Sequence, residues 1–463
     1  MTHKPTSSSN TQSLFAVNAL LPSGWEKNVR LTWNVDGDLI SVEKHLVQQA
    51  QEPTAVYVLP GMVNCHSHAF QRAMAGLSEI AGDGPDSFWT WRDIMYRFAL
   101  QITPEQLQAI AAQLYVECLR HGYTSVCEFH YLHHDINGAP YSNRLETSQA
   151  ILHAASQTGI GMTLLPVLYS HADFNAVALR HDQRRFATSV QSILEMVSDL
   201  NNARSGQVEI GAAPHSLRAA SLEQIRELTT GLPQNRPIHI HIAEQSKEVD
   251  ACVAAHGKRP VELLLQQIDV NPHWCLVHAT HMQNSEVHAL AKTGAVAGIC
   301  PTTEGNLGDG FFELPSYLQA GGKIAIGSDS HVSQSPIEEL RWLEYGQRLR
   351  AQQRNIATHQ QQRHVGDFLW QACLHGGAAA SGRRVGKLEA GARADFLVLD
   401  DQHPNLQDLD ASAVLNTLVF AGNDKLVRDV FVGGKQVVSE GRHHAQESIA
   451  NNFVASMRQL RGA

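Results

Sequence analysis

Two histidines, His66 and His68, stand two residues apart at the end of a short apolar run, a spacing that suits metal binding. The run, residues 62–65, follows a Pro-Gly turn and predicts a buried strand. In an extended chain, residues i and i+2 point to the same face, so both imidazoles can converge on one ion. The alternative is a hydrogen-bonded pair at a strand end, because most of the 26 His must be structural or exposed. Further ligands must come from elsewhere in the chain.

Histidine and acidic side chains also end three later apolar runs. His241 and Glu244 close a run that also contains His239, His278 closes the next, and Asp329 follows a Gly-Ser pair farther on. Each has an ordinary structural explanation by itself, such as a turn or a helix cap for the Asp. Chance rarely places this combination on the strand ends of a single fold.

The elements that must position these residues form an α/β pattern between residues 59 and 335, within a predicted barrel domain of residues 59–385. Buried-strand runs alternate there with helical segments, which is typical of βαβ units and a parallel sheet, and eight such strands close a barrel. We therefore predict a (β/α)8 TIM-like barrel, with the chemical groups collected at the carboxyl ends of its strands. The predicted strands begin near Met62, Ser125, Gly161, Val208, Pro237, Trp274, Ala295 and Lys323.

Short β-rich runs flank the barrel at both ends of the chain. Residues 13–58 are strand-rich, and β-type runs return after residue 386, including 413–415. The simplest interpretation is one small β-sandwich domain built from 13–58 and 386–463, with a terminal helix near 444–461. Residues 1–12 are polar and predict a mobile tail.

Composition narrows the class of protein. A net charge of −9 and a pI near 6.3 provide no basic field for nucleic acid, so local arginines must hold any anionic substrate. Seven scattered Cys without a CxxC motif favour reduced thiols. No apolar run reaches the ~18 residues of a membrane span. We expect a cytoplasmic enzyme with a small-molecule substrate and without nucleic-acid or membrane partners.

The HxH opening, the two-part β-domain and residues 386–396 resemble the amidohydrolase superfamily over nearly the whole chain. In its mononuclear branch, the metal ligands are the HxH pair, the strand-five His and the strand-eight Asp. The fourth strand offers Ala213-Pro214 and no Lys for the carbamylated bridge of binuclear relatives, so the resemblance implies one divalent ion, with zinc expected. His239 competes with His241, but the HxxE spacing from His241 to Glu244 matches the family. Carried over, the ligands are His66, His68, His241 and Asp329.

Chemistry follows from these assignments. A bound metal lowers the pKa of its water toward ~7. Asp329 can accept that water's proton, and His278 can orient the water and stabilise developing charge. Glu244 can protonate the nitrogen of a C=N group, after which ammonia leaves. The expected reaction is hydrolytic deimination.

Candidate substrate-binding residues differ from those that would surround a flat purine. Guanidinium groups match carboxylate geometry, so two arginines could hold a substrate with two carboxylates. The alternative for Arg92 is an ion pair with Asp86 or Asp93 on a solvated loop. The candidates are Gln71, Arg92, Tyr131, His215 and Arg218.

Residues 66–76, 88–92 and 213–218 resemble the formimidoylglutamate deiminase family. The resemblance implies hydrolysis of N-formimidoyl-L-glutamate to N-formyl-L-glutamate and ammonia in histidine degradation, by a homodimer. It also implies that Arg218 and Tyr131 hold the α-carboxylate, that Arg92 and Gln71 hold the distal carboxylate, and that His215 contacts the formimino group.

Two other functions remain open from the sequence. One is deamination of a heterocycle such as guanine or a pterin, against which the two arginines argue. The other is a non-catalytic scaffold on the same fold, but such proteins lose metal ligands and all four are present here.

Overall fold

The structure is a computed structural model that describes residues 11–81, 87–423 and 425–462. The first ten residues of the predicted tail and Asp86 lie outside this part of the chain. Among the described residues, no helix combines the length and apolar character that a membrane crossing requires.

The strands fall into three groups along the chain. The first four are β1 (Gln12–Leu21), β2 (Gly24–Trp33), β3 (Leu39–Glu43) and β4 (Thr54–Pro60). The central ones are β5 (Met62–Ser67), β6 (Tyr123–His130), β7 (Gly161–Leu168), β8 (Val208–Ile210), β9 (Ala213–Pro214), β10 (Ile238–Ile242), β11 (Trp274–His278), β12 (Val296–Ile299) and β13 (Lys323–Ile326). The last four are β14 (Phe396–Leu399), β15 (Val427–Val432), β16 (Lys435–Ser439) and β17 (Arg442–His443).

Helices follow most of the central strands. From α1 to α7 they are Phe88–Ala99, Pro104–His121, Glu146–Thr158, Val190–Leu200, Leu222–Gly231, Ser246–His256 and Pro260–Gln267. From α8 to α14 they are Asn284–Thr293, Pro301–Leu307, Leu314–Gln319, Pro336–Ala351, Val365–Ser381, Ala411–Phe420 and Gln446–Arg461. Short 3₁₀ turns span Ala69–Met74, His181–Gln183 and Asn201–Ala203.

The central strands close into the predicted barrel. Strands β5 to β8 pair in parallel in chain order, as do β10 to β13, and β9 pairs with β7. Parallel bridges from Ala212 to Ile238 and from Ser67 to Asp329 join the two runs. The second bridge brings the ends of β5 and β13 together, and these are the strands that carry the HxH pair and the Asp.

Helix α2 shows how local sequence encodes an element. Thr103 accepts a hydrogen bond from the backbone N–H of Gln106, whose side chain accepts one from the backbone N–H of Thr103. Pro104 occupies the first turn, where no backbone donor is needed. Gly122 ends the helix at a φ of 106°, a left-handed conformation that glycine adopts without strain.

Both ends of the chain build one eight-stranded sheet, in the order β17-β16-β15-β14-β4-β1-β2-β3. Antiparallel pairing of β14 with β4 joins the C-terminal strands to the N-terminal ones. The predicted β-domain from both chain ends is thus confirmed, while its boundaries at 13–58 and 386–463, and those of the barrel at 59–385, stay a prediction. The prediction of a strand at residues 413–415 is wrong. These residues lie in helix α13, because Asp410 caps that helix and the apolar residues of the helix recur at helical spacing.

Candidate active site

Four side chains converge at the carboxyl ends of strands β5, β10 and β13. The Nε2 atom of His66 lies 3.0 Å from Nε2 of His68 and 2.9 Å from Nε2 of His241. Asp329 Oδ1 lies 3.4 Å from Nε2 of His66 and 3.3 Å from Nε2 of His68. All four residues are buried, and their ligand atoms lie within 4.8 Å of one another.

Hydrogen bonds decide which ring nitrogens are free to bind an ion. Nδ1 of His68 lies 2.9 Å from the carbonyl oxygen of Phe129, and Nδ1 of His241 lies 3.0 Å from that of His215. A carbonyl only accepts, so each Nδ1 carries the proton and each Nε2 presents a lone pair. Burial lowers the pKa of these imidazoles and of His66, which keeps them neutral. Lone pairs facing one point beside a carboxylate fit a divalent cation, and this donor set is typical of zinc.

His239 is not part of this cluster. Its Nε2 lies 2.8 Å from the carbonyl oxygen of Ala380, and burial lowers its pKa to about 4. The structure therefore brings His241, rather than His239, to the other three ligands.

Glu244 and His278 lie beside the ligand cluster. Nε2 of His278 is 3.7 Å from Oε1 of Glu244 and 3.8 Å from Oδ2 of Asp329, while its Nδ1 is 3.2 Å from Oε1 of Glu304. Burial raises the pKa of Glu244 to about 7, which keeps a fraction of it protonated at neutral pH. Burial opposes protonation of His278, but the three carboxylates around it raise its pKa to about 10. The cluster thus holds a proton donor and a cationic imidazole side by side.

A pocket opens above the cluster, and Arg92 and Arg218 line it. Their guanidinium carbons lie 4.4 Å and 5.8 Å from the ring centroid of Trp89. Neither forms an ion pair with any carboxylate in the described part of the chain. The alternative pairing of Arg92 with Asp93 does not occur, because Asp93 contacts Arg180 at 3.2 Å; Asp86 lies outside the described residues.

The other three predicted binding residues line the same pocket. The side-chain amide of Gln71 donates to the hydroxyl of Tyr131 at 2.9 Å, while its Oε1 is buried and has no hydrogen-bond partner among the described residues. The ring of His215 lies 4.8 Å from that of His241 and 5.7 Å from that of Tyr131. All five candidates thus face one cavity.

Known proteins resemble this chain over nearly its full length. Residues 57–437 match the Amidohydrolase family, and residues 11–54 match the family described as Formimidoylglutamate deiminase HutF, N-terminal domain. The formimidoylglutamate deiminase of Pseudomonas aeruginosa is 49% identical over 97% of this chain and 99% of its own length. The chain belongs to the formimidoylglutamate deiminases of the amidohydrolase family.

Three further matches have lower sequence identity. A 5-methylthioadenosine/S-adenosylhomocysteine deaminase of Natronomonas pharaonis is 27% identical, covering 83% of this chain and 81% of its own. The crystal structure of an amidohydrolase from Brucella melitensis superposes with a TM-score of 0.92 at 43% identity, over 97% of this chain and all of that one. An adenosine deaminase structure from Xanthomonas campestris with bound zinc shares the fold, with a TM-score of 0.81 at 22% identity over 98% of this chain and 99% of its own.

Several buried polar residues around the site escaped the sequence analysis. Glu304 follows the seventh barrel strand, in helix α9, and contacts His278. Glu248 accepts hydrogen bonds from the backbone N–H groups of Ala243 and Glu244, at 3.2 Å and 3.0 Å, and so holds the loop that carries Glu244. Asp309 accepts from the side chain of Gln245. In the sequence, the Pro-Thr-Thr-Glu stretch after the seventh strand could have indicated that Glu304 lies at the site. No neighbouring residues indicated this for Asp309.

Backbone geometry also fixes the ligands in place. Gly327 precedes the Ser-Asp turn, and a Cβ there would lie 2.8 Å from the Cβ and backbone nitrogen of His66. Glycine therefore permits the close approach of β13 to β5. Asp329 and His278 adopt left-handed φ values of 44° and 67°, conformations that side chains rarely take and that concentrate at functional sites.

Proposed function

We propose that this protein hydrolyses N-formimidoyl-L-glutamate to N-formyl-L-glutamate and ammonia, a reaction of histidine degradation. The observation that carries the proposal is the pair of arginines without carboxylate partners in the described chain, which face one pocket beside a metal-ligand cluster. The deiminase of Pseudomonas aeruginosa, at 49% identity, supports the same reaction. A scaffold role has no support, because all four ligands are present and converge.

Each arginine holds one carboxylate of the substrate in this proposal. Arg218 with Tyr131 binds the α-carboxylate, and Arg92 with the second side-chain N–H group of Gln71 binds the distal carboxylate. Trp89 packs against both guanidinium groups and keeps them in place. His215, beside the ligand His241, contacts the formimino group. Binding at both ends positions the C=N carbon over the cluster.

Proton transfers fall to three residues. A divalent ion at the four ligands would lower the pKa of a bound water and supply hydroxide near neutral pH. Asp329 accepts the water's proton, and Nε2 of His278, close to Oδ2 of Asp329, orients the water. Glu244 donates a proton to the formimino nitrogen, since its raised pKa keeps part of it protonated. The water oxygen adds to the C=N carbon in the same step. Asp329 then passes the proton it took from water to that nitrogen, the new hydroxyl loses its proton to Glu244, and the C–N bond breaks to release ammonia.

The ion is one zinc per chain in this proposal. Three imidazole nitrogens and one carboxylate oxygen are ligands that zinc prefers, and the open side of the cluster faces the pocket. The adenosine deaminase structure from Xanthomonas campestris, which shares the fold, has bound zinc, and this supports the choice of zinc in the proposal.

One assay tests the reaction. Ammonia release from N-formimidoyl-L-glutamate is measured by the purified protein, with guanine as the control substrate. We expect turnover of the first and none of the second. Ammonia from guanine alone would replace this proposal with heterocycle deamination.

We also propose a homodimer in the cytoplasm. Helix α11 exposes Trp342, Tyr345 and Leu349 at helical spacing, and such an apolar stripe is typical of a protein interface. The seven cysteines are free thiols, as a reducing compartment maintains them. Light scattering tests the assembly: a mass of two chains, reduced by Trp342→Lys, is expected, and a monomer would contradict it.

A further inference from the structure

A second group of metal-binding side chains lies against the first. His278, Cys300 and Asp329 are all buried, and their possible ligand atoms lie within 4.8 Å of one another. Cys300 directly follows strand β12 and precedes helix α9. Its backbone N–H donates to Oε1 of Glu304 at 2.9 Å, and that carboxylate also contacts Nδ1 of His278. Glu304 thus ties the backbone of Cys300 to the ring of His278.

The carboxylate of Asp329 faces both groups with different oxygens. Oδ1 lies 3.3 Å and 3.4 Å from the imidazoles of His68 and His66, whereas Oδ2 lies 3.8 Å from Nε2 of His278. Paired metal sites in hydrolases lie about 3.5–4 Å apart, a distance that one bridging carboxylate spans. The first ion and a second one could therefore share Asp329 without displacing it.

We propose that His278, Cys300 and Asp329 form a second, inhibitory site for a soft divalent cation such as zinc or cadmium. Imidazole, thiolate and carboxylate are the ligand types that zinc takes, and the sulfur selects against magnesium and manganese. On binding, the Cys300 thiol and the cationic His278 ring each lose a proton to solvent, and the thiolate and Nε2 of His278 bond to the ion. The site is weaker than the first, because it has three protein ligands and must release both protons.

Occupation of this site stops the reaction proposed above. The cation would take Nε2 of His278 and Oδ2 of Asp329, the atoms that orient the water and accept its proton. Only this consequence rests on the proposed function. Binding itself is measured without turnover, so failure of the two ideas can be told apart.

Cadmium provides a direct readout of the sulfur ligand. Protein carrying one zinc per chain is titrated with cadmium chloride, and the ultraviolet absorption of cadmium–thiolate charge transfer is recorded. The first site has no sulfur, so exchange of zinc for cadmium there gives no such band. The variants are Cys300→Ala and Cys300→Ser, and the matched control is Cys373→Ala, which removes another buried thiol from helix α12.

We expect the wild type and Cys373→Ala to bind a second ion, develop the band and lose ammonia release as zinc or cadmium is added in excess. Both Cys300 variants should lack the band. Each should also require at least about tenfold more zinc for half inhibition of its own activity, since even ligand-supporting groups change metal affinity 10–100-fold.

Absence of the band in the wild type overturns the proposal, whether or not the variants fold. A band or a zinc sensitivity that persists in Cys300→Ala or Cys300→Ser overturns it as well, because the second ion then binds elsewhere. Wild-type protein that binds the second ion but hydrolyses no formimidoylglutamate retains this site and refutes the proposed function instead.

Discussion

Replacing each pocket arginine by methionine tests how the substrate is held. If Arg218 binds the α-carboxylate and Arg92 the distal one, each variant should be sensitive to a different end of the same molecule. Methionine fills a similar volume, so the lost charge dominates the effect over an empty cavity. Two analogues separate the ends: the N-formimidoyl derivative of α-aminobutyrate lacks the distal carboxylate, and that of γ-aminobutyrate lacks the α-carboxylate.

The burial of the two arginines sets the expected magnitudes. Arg218 is only 6% exposed, so its removal leaves a bound carboxylate without a partner in a dry pocket. Such a loss costs about 2–5 kcal/mol, which is roughly 30- to 5,000-fold in kcat/KM. Arg92 is half-buried, and solvent screens its interaction. For Arg92→Met we expect about 1.5–3 kcal/mol, roughly 10- to 150-fold.

Steady-state kinetics of both variants on all three substrates provide the test, at matched metal content. Arg92→Met should lose kcat/KM on formimidoylglutamate and on the γ-aminobutyrate derivative, with little change on the α-aminobutyrate derivative. Arg218→Met should show the opposite preference. The melting temperature should hold or rise in both, because a desolvated charge without a partner does not favour the fold. Equal losses on every substrate, with a lower melting temperature, would refute the reasoning and indicate structural arginines.

Three further outcomes are expected. Glu244→Gln should retain its metal while kcat falls about 10²–10⁴-fold, because the substitution removes the proton donor but no metal ligand. Loss of metal in this variant would mean that Glu244 is not the proton donor proposed here. Protein purified without added metal should contain one divalent ion per chain, and a chelator should abolish ammonia release until zinc is restored; full activity without metal would contradict this. Burial and the nearby Glu244 raise the pKa of Asp309 to about 9 in the folded protein. The stability that protonated Asp309 contributes is therefore complete below its pKa in the unfolded chain and is lost as pH rises toward its pKa in the folded protein. The melting temperature of Asp309→Asn should therefore fall less than that of the wild type between about pH 5 and about pH 8. Parallel melting curves over that range would rule out this titration.

Local patterns were sufficient for the barrel and for the positions of its ligands. Apolar runs predict the strands, and polar residues at their ends become neighbours once parallel strands close. The spacing of His66 and His68 needs only the alternation of an extended chain. Capping residues likewise encode helix α2 in a few neighbouring positions. In helix α13 the same local signals were present, but its short apolar run was also compatible with a strand.

Contacts between distant segments were decided only by the tertiary structure. His239 and His241 are equivalent as a pattern, and the choice between them depends on which nitrogen reaches His66 across the barrel. The proximity of Cys300 to His278, the bond of Gln245 to Asp309 and the shared Trp89 face of the two arginines have no local signature. Sequence alone therefore determined the fold, the ligand types and the strand ends that carry them, because these depend on periodicity and short spacing. Closure of the barrel decided tautomers, partners and pKa values, because these depend on which buried groups meet across strands far apart in the chain.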